Sequence, residues 1–391
     1  MPDNLSTGGR GADLAMLLAY TGLVVPSFLK EGTVPLALEF CLALAAILLA
    51  AVLFTNAVEI LGGRLDLGVG AVGSVLAAVG TALPETMIPV VAILAAAFAG
   101  EGGEAAGEIG IGAILGAPFL LSTLAMFVVG VSAFAYRRRR EQGAEIRCSE
   151  ASAGDEFPWC KVPAKEVIVD EKTIARDMGF FLVFFAVAAA AGIVELPPVF
   201  RVALAAILVL AYALYVRRTL HSGGALEEVP QRLTLWRFAS RPPTWTVVCQ
   251  TVLALALIIG GAEFFVTAVE GTAEAVALPA GLVALILAPL ATELPEKINS
   301  VLWVRDGKDT LALGNISGAM VFQSTVPVTL GVLFTPWELG PINLFSAALA
   351  ILSGGFVYAM LRRAAPLHSW HLMVGGVFYL VFLLAAVFAV F

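Results

Sequence analysis

The sequence predicts an all-α polytopic membrane protein: two inverted five-helix repeats, ten core spans, with an extra N-terminal helix. Three observations carry this. Of 391 residues, 60% are apolar and only 14% charged, against roughly 45–50% and about 25% in soluble globular chains. The apolar residues fall in long runs. A stretch of 29 residues recurs 211 positions further on. Such a composition excludes a disordered chain and a soluble enzyme, and no basic block suits nucleic acid.

A spanning helix needs about 20 apolar residues. Runs at 12–29, 36–61, 67–98, 107–136, 178–196, 199–216, 245–270, 276–303, 310–334, 342–361 and 371–390 read as helices. Segment 12–29 carries Asp13 and Pro26 and lacks a small-residue cleavage pattern before Lys30, so it reads as an extra leading helix rather than a signal peptide. The chain divides into a tail and extra helix (1–35), a first repeat (36–218), a linker (219–244) and a second repeat (245–391). The polar loop 137–177, with nine basic and nine acidic residues, Pro158 and Pro163, reads as a solvated linker within the first repeat.

Basic residues orient the spans, because they are retained on the cytoplasmic side. With 219–244 inside, strict alternation also puts Arg10, Arg64, Arg137–Arg140, Arg305, Lys308, Arg362 and Arg363 inside. Only Lys30 and Arg201 fall outside and Lys297 within a span, so twenty of the 23 basic residues are cytoplasmic. The expectation is a multi-pass cell-membrane protein with its N-terminus cytoplasmic and its C-terminus outside. Cys41 and Cys249 lie in apolar runs and read as core thiols, while Cys148 and Cys160 share the polar loop without zinc-like spacing. Trp245 and Trp370 stand at span ends as interfacial anchors. His221, His368 and His371 read as surface residues in or beside cytoplasmic loops.

The repeat aligns Ala57–Glu85 with Ala268–Glu296, twelve positions being identical, where chance in so apolar a chain gives about three. Gly112-Ala-Ile-Leu-Gly116 then matches Gly314-Asn-Ile-Ser-Gly318 at an offset of 202. Five crossings separate matching spans, an odd number, so the copies are inverted. Inverted repeats that hold substrate at the midplane on interrupted helices are a transporter architecture. The interruption is visible in Gly80-Thr-Ala-Leu-Pro-Glu85 and Ala291-Thr-Glu-Leu-Pro-Glu296. Proline there removes a backbone donor and frees carbonyls. Each motif also ends in a glutamate at a depth where ionisable groups are costly and functional by default. Two carboxylates with threonine hydroxyls and exposed carbonyls form an oxygen-rich site suited to hard cations: calcium, sodium or magnesium.

These two motifs resemble the paired alpha-repeat signatures of the sodium/calcium exchanger family, within the cation/calcium antiporter superfamily. Asp309–Gly318 resembles the start of the helix that follows the second signature, and Val169-Asp170 with Arg176-Asp177 resembles bacterial members. The resemblance covers 36–391, is strongest in the signatures, and marks a divergent bacterial-type member. It implies ten helices in two inverted halves, with the helices at 67–98 and 276–303 broken at the site, and export of calcium against entering sodium or protons.

Carried over position by position, Thr81, Glu85, Thr292 and Glu296 match family ligands, while Ala82 and Glu293 stand where serines are usual. Ala117 and Ala319 replace two further serines, and Leu121 and Gln323 stand where the ligating Asn or Asp falls. The candidate metal ligands are therefore Thr81, Ala82, Glu85, Thr292, Glu293, Glu296 and Gln323. Glu293 and Lys297 are four apart with Glu first, the favourable order for a helical ion pair. With all groups ionised, Glu85, Glu293, Glu296 and Lys297 sum to −2, which one divalent cation neutralises. Glu293 is also a candidate proton carrier, and Lys297 a charge-compensating residue; a plain salt bridge beside the site is the alternative. Candidate supporting residues are Gly112, Gly116 and Gly318, spaced with Gly314 for close helix packing, together with Asn299, Ser300 and Asn315. Glu59 and Glu270 fall near membrane ends, and Glu263 lies deeper in its span.

The expected function is secondary-active exchange of Ca2+ for Na+ or H+ by alternating access, with no cofactor and with inorganic cations and the bilayer as partners. Two other readings are a proton-coupled exporter of Mn2+, Mg2+ or Na+, and a channel or sensor with a relic site. An enzyme is not expected: the chain has no phosphate loop, nucleophile elbow or metalloprotease helix. Oligomeric state leaves no signature in the sequence.

Overall fold

Without water to satisfy the backbone, a lipid-exposed span must close its own hydrogen bonds, and only a helix does so within one segment. A computed structural model describes residues 36–64, 83–99, 104–138, 167–221, 233–236, 242–305, 307–363 and 366–390. The regular elements among them are helices: α1 Leu36–Arg64, α2 Leu83–Ala99, α3 Glu104–Ala135, α4 Glu171–Ala191, α5 Pro198–His221 and α6 Thr244–Val276. Then come α7 Ala280–Thr292, α8 Leu294–Arg305, α9 Asp309–Gln323, α10 Val326–Phe334, α11 Pro341–Leu361 and α12 Ser369–Val390.

Seven of the described helical stretches are long and apolar enough to cross a membrane: α3, α4, α5, α6, α9 with α10, α11 and α12. Shorter apolar stretches run through α1, α2 and α7 (Leu38–Phe54, Glu85–Ala97 and Ala280–Leu290). The expected span 12–29 and the first part of 67–98 lie outside the described residues, as do Cys148 and Cys160.

The helices pack reciprocally. Long α1 lies along long α6, and α4 packs against α11. Helix α3 meets α11 and α12, while α9 meets α4 and α10 meets α5. Phe119, Phe181, Phe185 and Phe382 fill the main core with Leu285, Ile316 and Met320. Ala43, Ile47, Ala262 and Phe265 form a second core where α1 meets α6. The outer surface is apolar as well: Leu49, Val52, Leu210, Val252 and Phe388 are all exposed.

Connections expected on one side of the membrane meet at one end of the bundle. At the first end, the backbone N–H of Val167 donates to the carbonyl of Leu367 at 2.7 Å. There Ile168 N–H also donates to Asp309 Oδ2 at 2.9 Å. Asp170 caps α4, accepting from the Lys172 N–H at 3.2 Å and the Thr173 hydroxyl at 2.7 Å. That hydroxyl holds its carboxyl below the usual carboxylate range. At the other end Leu339 N–H donates to Gly192 O at 2.9 Å. Arg201 there caps the C-terminus of α10, donating from Nε to Val332 O at 2.7 Å and from Nη2 to Thr335 O.

Three sequence expectations are corrected. Cys41 and Cys249 are free but exposed, on the outer faces of α1 and α6 rather than in the core. His371 is buried, and its Nδ1 accepts the His368 N–H at 2.9 Å. The run 310–334 is not one regular helix but is interrupted at Ser324 and Thr325. Trp245 and Trp370 are exposed at helix starts, in keeping with an anchoring role.

Trp337 locks the turn before α11. It is buried with φ 54°, donates Nε1–H to Ala188 O at 3.0 Å, and lies over Gly331. Trp337→Ala removes that anchor and is expected to cost about 3–5 kcal/mol, read as a lowered thermal unfolding midpoint in detergent.

Candidate ion-binding site

The second signature falls at a helix break. Helix α7 ends at Thr292, α8 starts at Leu294, and Glu293 joins them with φ −89° and ψ 8°. The interruption is confined: Glu293 N–H still donates to Pro289 O at 3.1 Å, and Lys297 N–H to Glu293 O at 3.2 Å. Pro289 and Pro295 each lack an N–H, so the carbonyls four residues before them lose their helical donors. Thr292 turns its hydroxyl back onto Ala288 O at 2.9 Å. That donation leaves the lone pairs of the Thr292 oxygen free to accept.

Glu293 is 1% exposed and shared by two partners. Lys297 Nζ lies 3.3 Å from Glu293 Oε2 and 3.5 Å from Pro289 O. Gln323, the last residue of α9, donates from Nε2 to Glu293 Oε1 at 3.3 Å. The other amide atom, Gln323 Oε1, is buried without a hydrogen-bond partner. A bare carbonyl oxygen at this depth costs about 1–3 kcal/mol, and it is a ligand type that hard cations take. Lys297 thus places a tethered positive charge against a carboxylate and a backbone carbonyl, the donors a cation would use.

The remaining candidates sort as follows. Glu85 is buried in the first turn of α2, where the helix dipole favours a carboxylate. Helix α2 packs against α3, α6 and α7. Thr81 and Ala82 lie outside the described residues, and so do the side chains of Glu59, Glu296 and Asn299. Ser300 is buried and donates to Ala312 O at 3.3 Å, tying α8 to α9. The Nδ2 of Asn315 is buried without a partner, so it satisfies no freed carbonyl. Among the described residues no three His, Cys, Asp or Glu side chains group as a metal site would require.

The two glycine pairs behave differently. A Cβ on Gly112 or Gly116 would strike the Gly281 or Leu285 carbonyl, so α3 lies directly on the backbone of α7. At Gly314 and Gly318 a Cβ meets only Ile174 and Tyr215, at ordinary contact distances of 3.9 and 3.5 Å.

Sequence reasoning missed a second pair of irregularities. The 202 offset that relates the glycines also relates Ser122-Thr123 to Ser324-Thr325. All four residues are fully buried. In the first copy they sit in a π turn, Leu121–Ala125, inside α3; in the second they separate α9 from α10. Thr123 donates to Phe119 O at 2.5 Å, and Thr325 to the equivalent Val321 O at 2.7 Å. The signal was present, a hydroxyl pair repeated within two apolar runs. Leu121 opens the first of these irregular turns and Gln323 immediately precedes the second, and π turns recur at functional sites.

A further buried link joins α4 to α9. Ser317 on α9 donates to Asp177 Oδ2 on α4 at 2.9 Å, and Arg176 holds Asp177 Oδ1 at 3.0 Å.

Two perturbations probe this geometry. Gly116→Ala forces α3 away from α7, at about 1–3 kcal/mol for overpacking; a lowered thermal midpoint checks it. Lys297→Met takes the ammonium from the buried Glu293 carboxylate, costing about 3–5 kcal/mol. Adding Glu293→Gln should restore most of that loss, a coupling that a double-mutant cycle of thermal stabilities measures.

Comparison with known proteins agrees with this geometry. The family model described as sodium/calcium exchanger protein matches residues 36–220 and 246–391. CaxA of Alkalimonas amylolytica is 26% identical over 144 residues, 35% of this chain and 45% of that protein. The sodium/calcium exchanger MaX1 of Methanosarcina acetivorans is 27% identical over 133 residues, 34% of this chain and 38% of that protein. The aligned stretches thus span less than half the length of either relative. Two solved structures share the fold: the H+/Ca2+ exchanger CAX has a TM-score of 0.66 at 20% identity, over 95% of this chain and 88% of that one. The sodium-calcium exchanger NCX_Mj has a TM-score of 0.52 at 19% identity, over 89% and 98%. The long apolar helices mark a multi-pass membrane protein, and the chain belongs to the sodium/calcium exchanger protein family, a family of transporters and not of enzymes.

Proposed function

We propose that this chain is a secondary-active antiporter that exchanges Ca2+ for Na+ or H+ by alternating access, with its N-terminus cytoplasmic and its C-terminus outside the cell membrane. The observation that carries this reading is the helix break at Glu293. There a repeated Thr-x-Leu-Pro-Glu signature, a buried carboxylate and the bare amide oxygen of Gln323 come together. The reciprocal packing of α1 with α6 and of α4 with α11 supports two inverted halves around that break. The meeting of same-side connections at each end supports the alternation of spans.

In this mechanism Glu85 and Glu296 supply the two negative charges that a divalent ion needs, with Thr81, Ala82, Thr292 and Gln323 adding neutral oxygens. Glu293 is balanced by Lys297 at 3.3 Å. Calcium binding then leaves little net charge in the low-dielectric interior, where an unbalanced charge is costly. Gly112, Gly116, Ser300 and Gly318 shape the surrounding helices, with Asn299 and Asn315 beside them. Exchange follows if the loaded site crosses readily and the empty, doubly negative site does not, so that each crossing needs calcium, sodium or protons.

Purified protein in vesicles, followed with radioactive calcium under a sodium gradient and then a proton gradient, tests this. Uptake is expected under at least one gradient and is expected to vanish in Glu85→Gln and Glu296→Gln. Uptake driven only by protons, and uncoupled by Glu293→Gln, identifies Glu293 as the carrier; coupling unchanged in that variant removes the role. No calcium movement under either gradient sinks calcium as the cargo.

A further inference from the structure

A groove of about 870 Å³ lies on the outer face of α4, between α5 and α11. Its walls are apolar along the depth of the span: Phe180, Val183, Phe184 and Leu214. Its mouth is at the bundle end where α4 begins and α11 finishes, and it carries Lys172, Arg176, Arg362 and Arg363. One acid, Glu171, lines it too, so four positive charges and one negative leave a net +3. Arg176 is held at 3.0 Å by Asp177, which lowers the effective balance to +2. The guanidinium of Arg176 also stands 5.5 Å from the Tyr215 ring centroid, so its position is fixed from both sides.

This groove differs from a solvated charged face in two respects. Lys172, Arg362 and Arg363 sit at the ends of the candidate spans Glu171–Ala191 and Pro341–Leu361, and the ends of a spanning helix are where lipid headgroups lie. The wall beneath them opens sideways onto an apolar exterior, where Val183 and Leu214 are exposed. A free phosphate would satisfy the basic mouth but leave the apolar wall unused. An acyl chain would satisfy the wall but not the charge. A phospholipid of net negative charge satisfies both, and basic pockets between membrane helices bind such headgroups.

We propose that the groove between α4, α5 and α11 is a binding site for one anionic phospholipid, its phosphate between Lys172, Arg362 and Arg363 and an acyl chain along Phe180 and Phe184. Such a lipid would bridge α4 of the first half and α11 of the second. The site is separate from the helix break and stands whether or not the chain moves calcium.

The test uses the full chain purified in detergent and exposed to equal amounts of phosphatidylglycerol and phosphatidylcholine, with retained lipid read by native mass spectrometry. Retention of one phosphatidylglycerol in preference to phosphatidylcholine is expected. Arg362→Gln with Arg363→Gln should cut that preference by about fivefold per charge removed. The same loss of charge at Arg137 and Arg138, outside the groove, should leave it intact, as should Arg362→Lys with Arg363→Lys. The conservative pair keeps the test informative if the glutamine pair unfolds. Equal retention of both lipids overturns the proposal, as does a preference that survives the glutamine pair in folded protein. Complete release of the lipid by millimolar-scale glycerol phosphate would reassign the mouth to a free phosphate and overturn it too.

Discussion

Every backbone N–H and C=O buried in a membrane must find a partner inside the protein, and the breaks in this bundle are where that demand is met by side chains. Thr292, Thr123 and Thr325 each return a hydroxyl to the carbonyl four residues back. Lys297 reaches the Pro289 carbonyl, and Ser300 reaches the Ala312 carbonyl on the next helix. Ser353 on α11 donates to the Ser122 carbonyl in the π turn at 2.6 Å. The threonine bonds tie each irregular turn to the helix before it, and Ser300 and Ser353 tie neighbouring helices together.

Close backbone contact holds those breaks in place. Gly112 and Gly116 carry no Cβ, so α3 rests on the Gly281 and Leu285 carbonyls of α7, the helix that ends at the break. From the other side, the Asp177–Ser317 bond ties α9 to α4, and α9 ends in Gln323. The Glu293 cluster, whose residues lie at the α7–α8 junction and on α8 and α9, is thus braced through α3 and α4, which come much earlier in the chain.

An ion pair occupies the break: Lys297 Nζ lies 3.3 Å from Glu293 Oε2, both buried. Gln323 meets the Glu293 carboxylate through Nε2, and its own buried Oε1 has no hydrogen-bond partner. A tethered ammonium that engages a carboxylate and a backbone carbonyl competes with any small cation for the same oxygens.

The sequence by itself determined the class, a helical multi-pass membrane protein, and the place of the helix break at the second signature. Sixty per cent apolar residues leave no soluble fold open, and an exact repeat of Thr-x-Leu-Pro-Glu can be read without coordinates. Spacing also sufficed for the Glu293–Lys297 pair, because residues four apart share a helix face. The rest depended on which helices become neighbours. That Gln323 meets Glu293, that Asp177 meets Ser317 and that Gly112 and Gly116 touch α7 are contacts between residues 30 to 173 positions apart in the chain. No local pattern encodes such distances. Exposure was likewise a tertiary outcome: an apolar run faces lipid on one side and protein on the other, so Cys41 and Cys249 point outward while His371 turns in. Hydropathy cannot separate those two sides, because lipid and protein core are equally apolar.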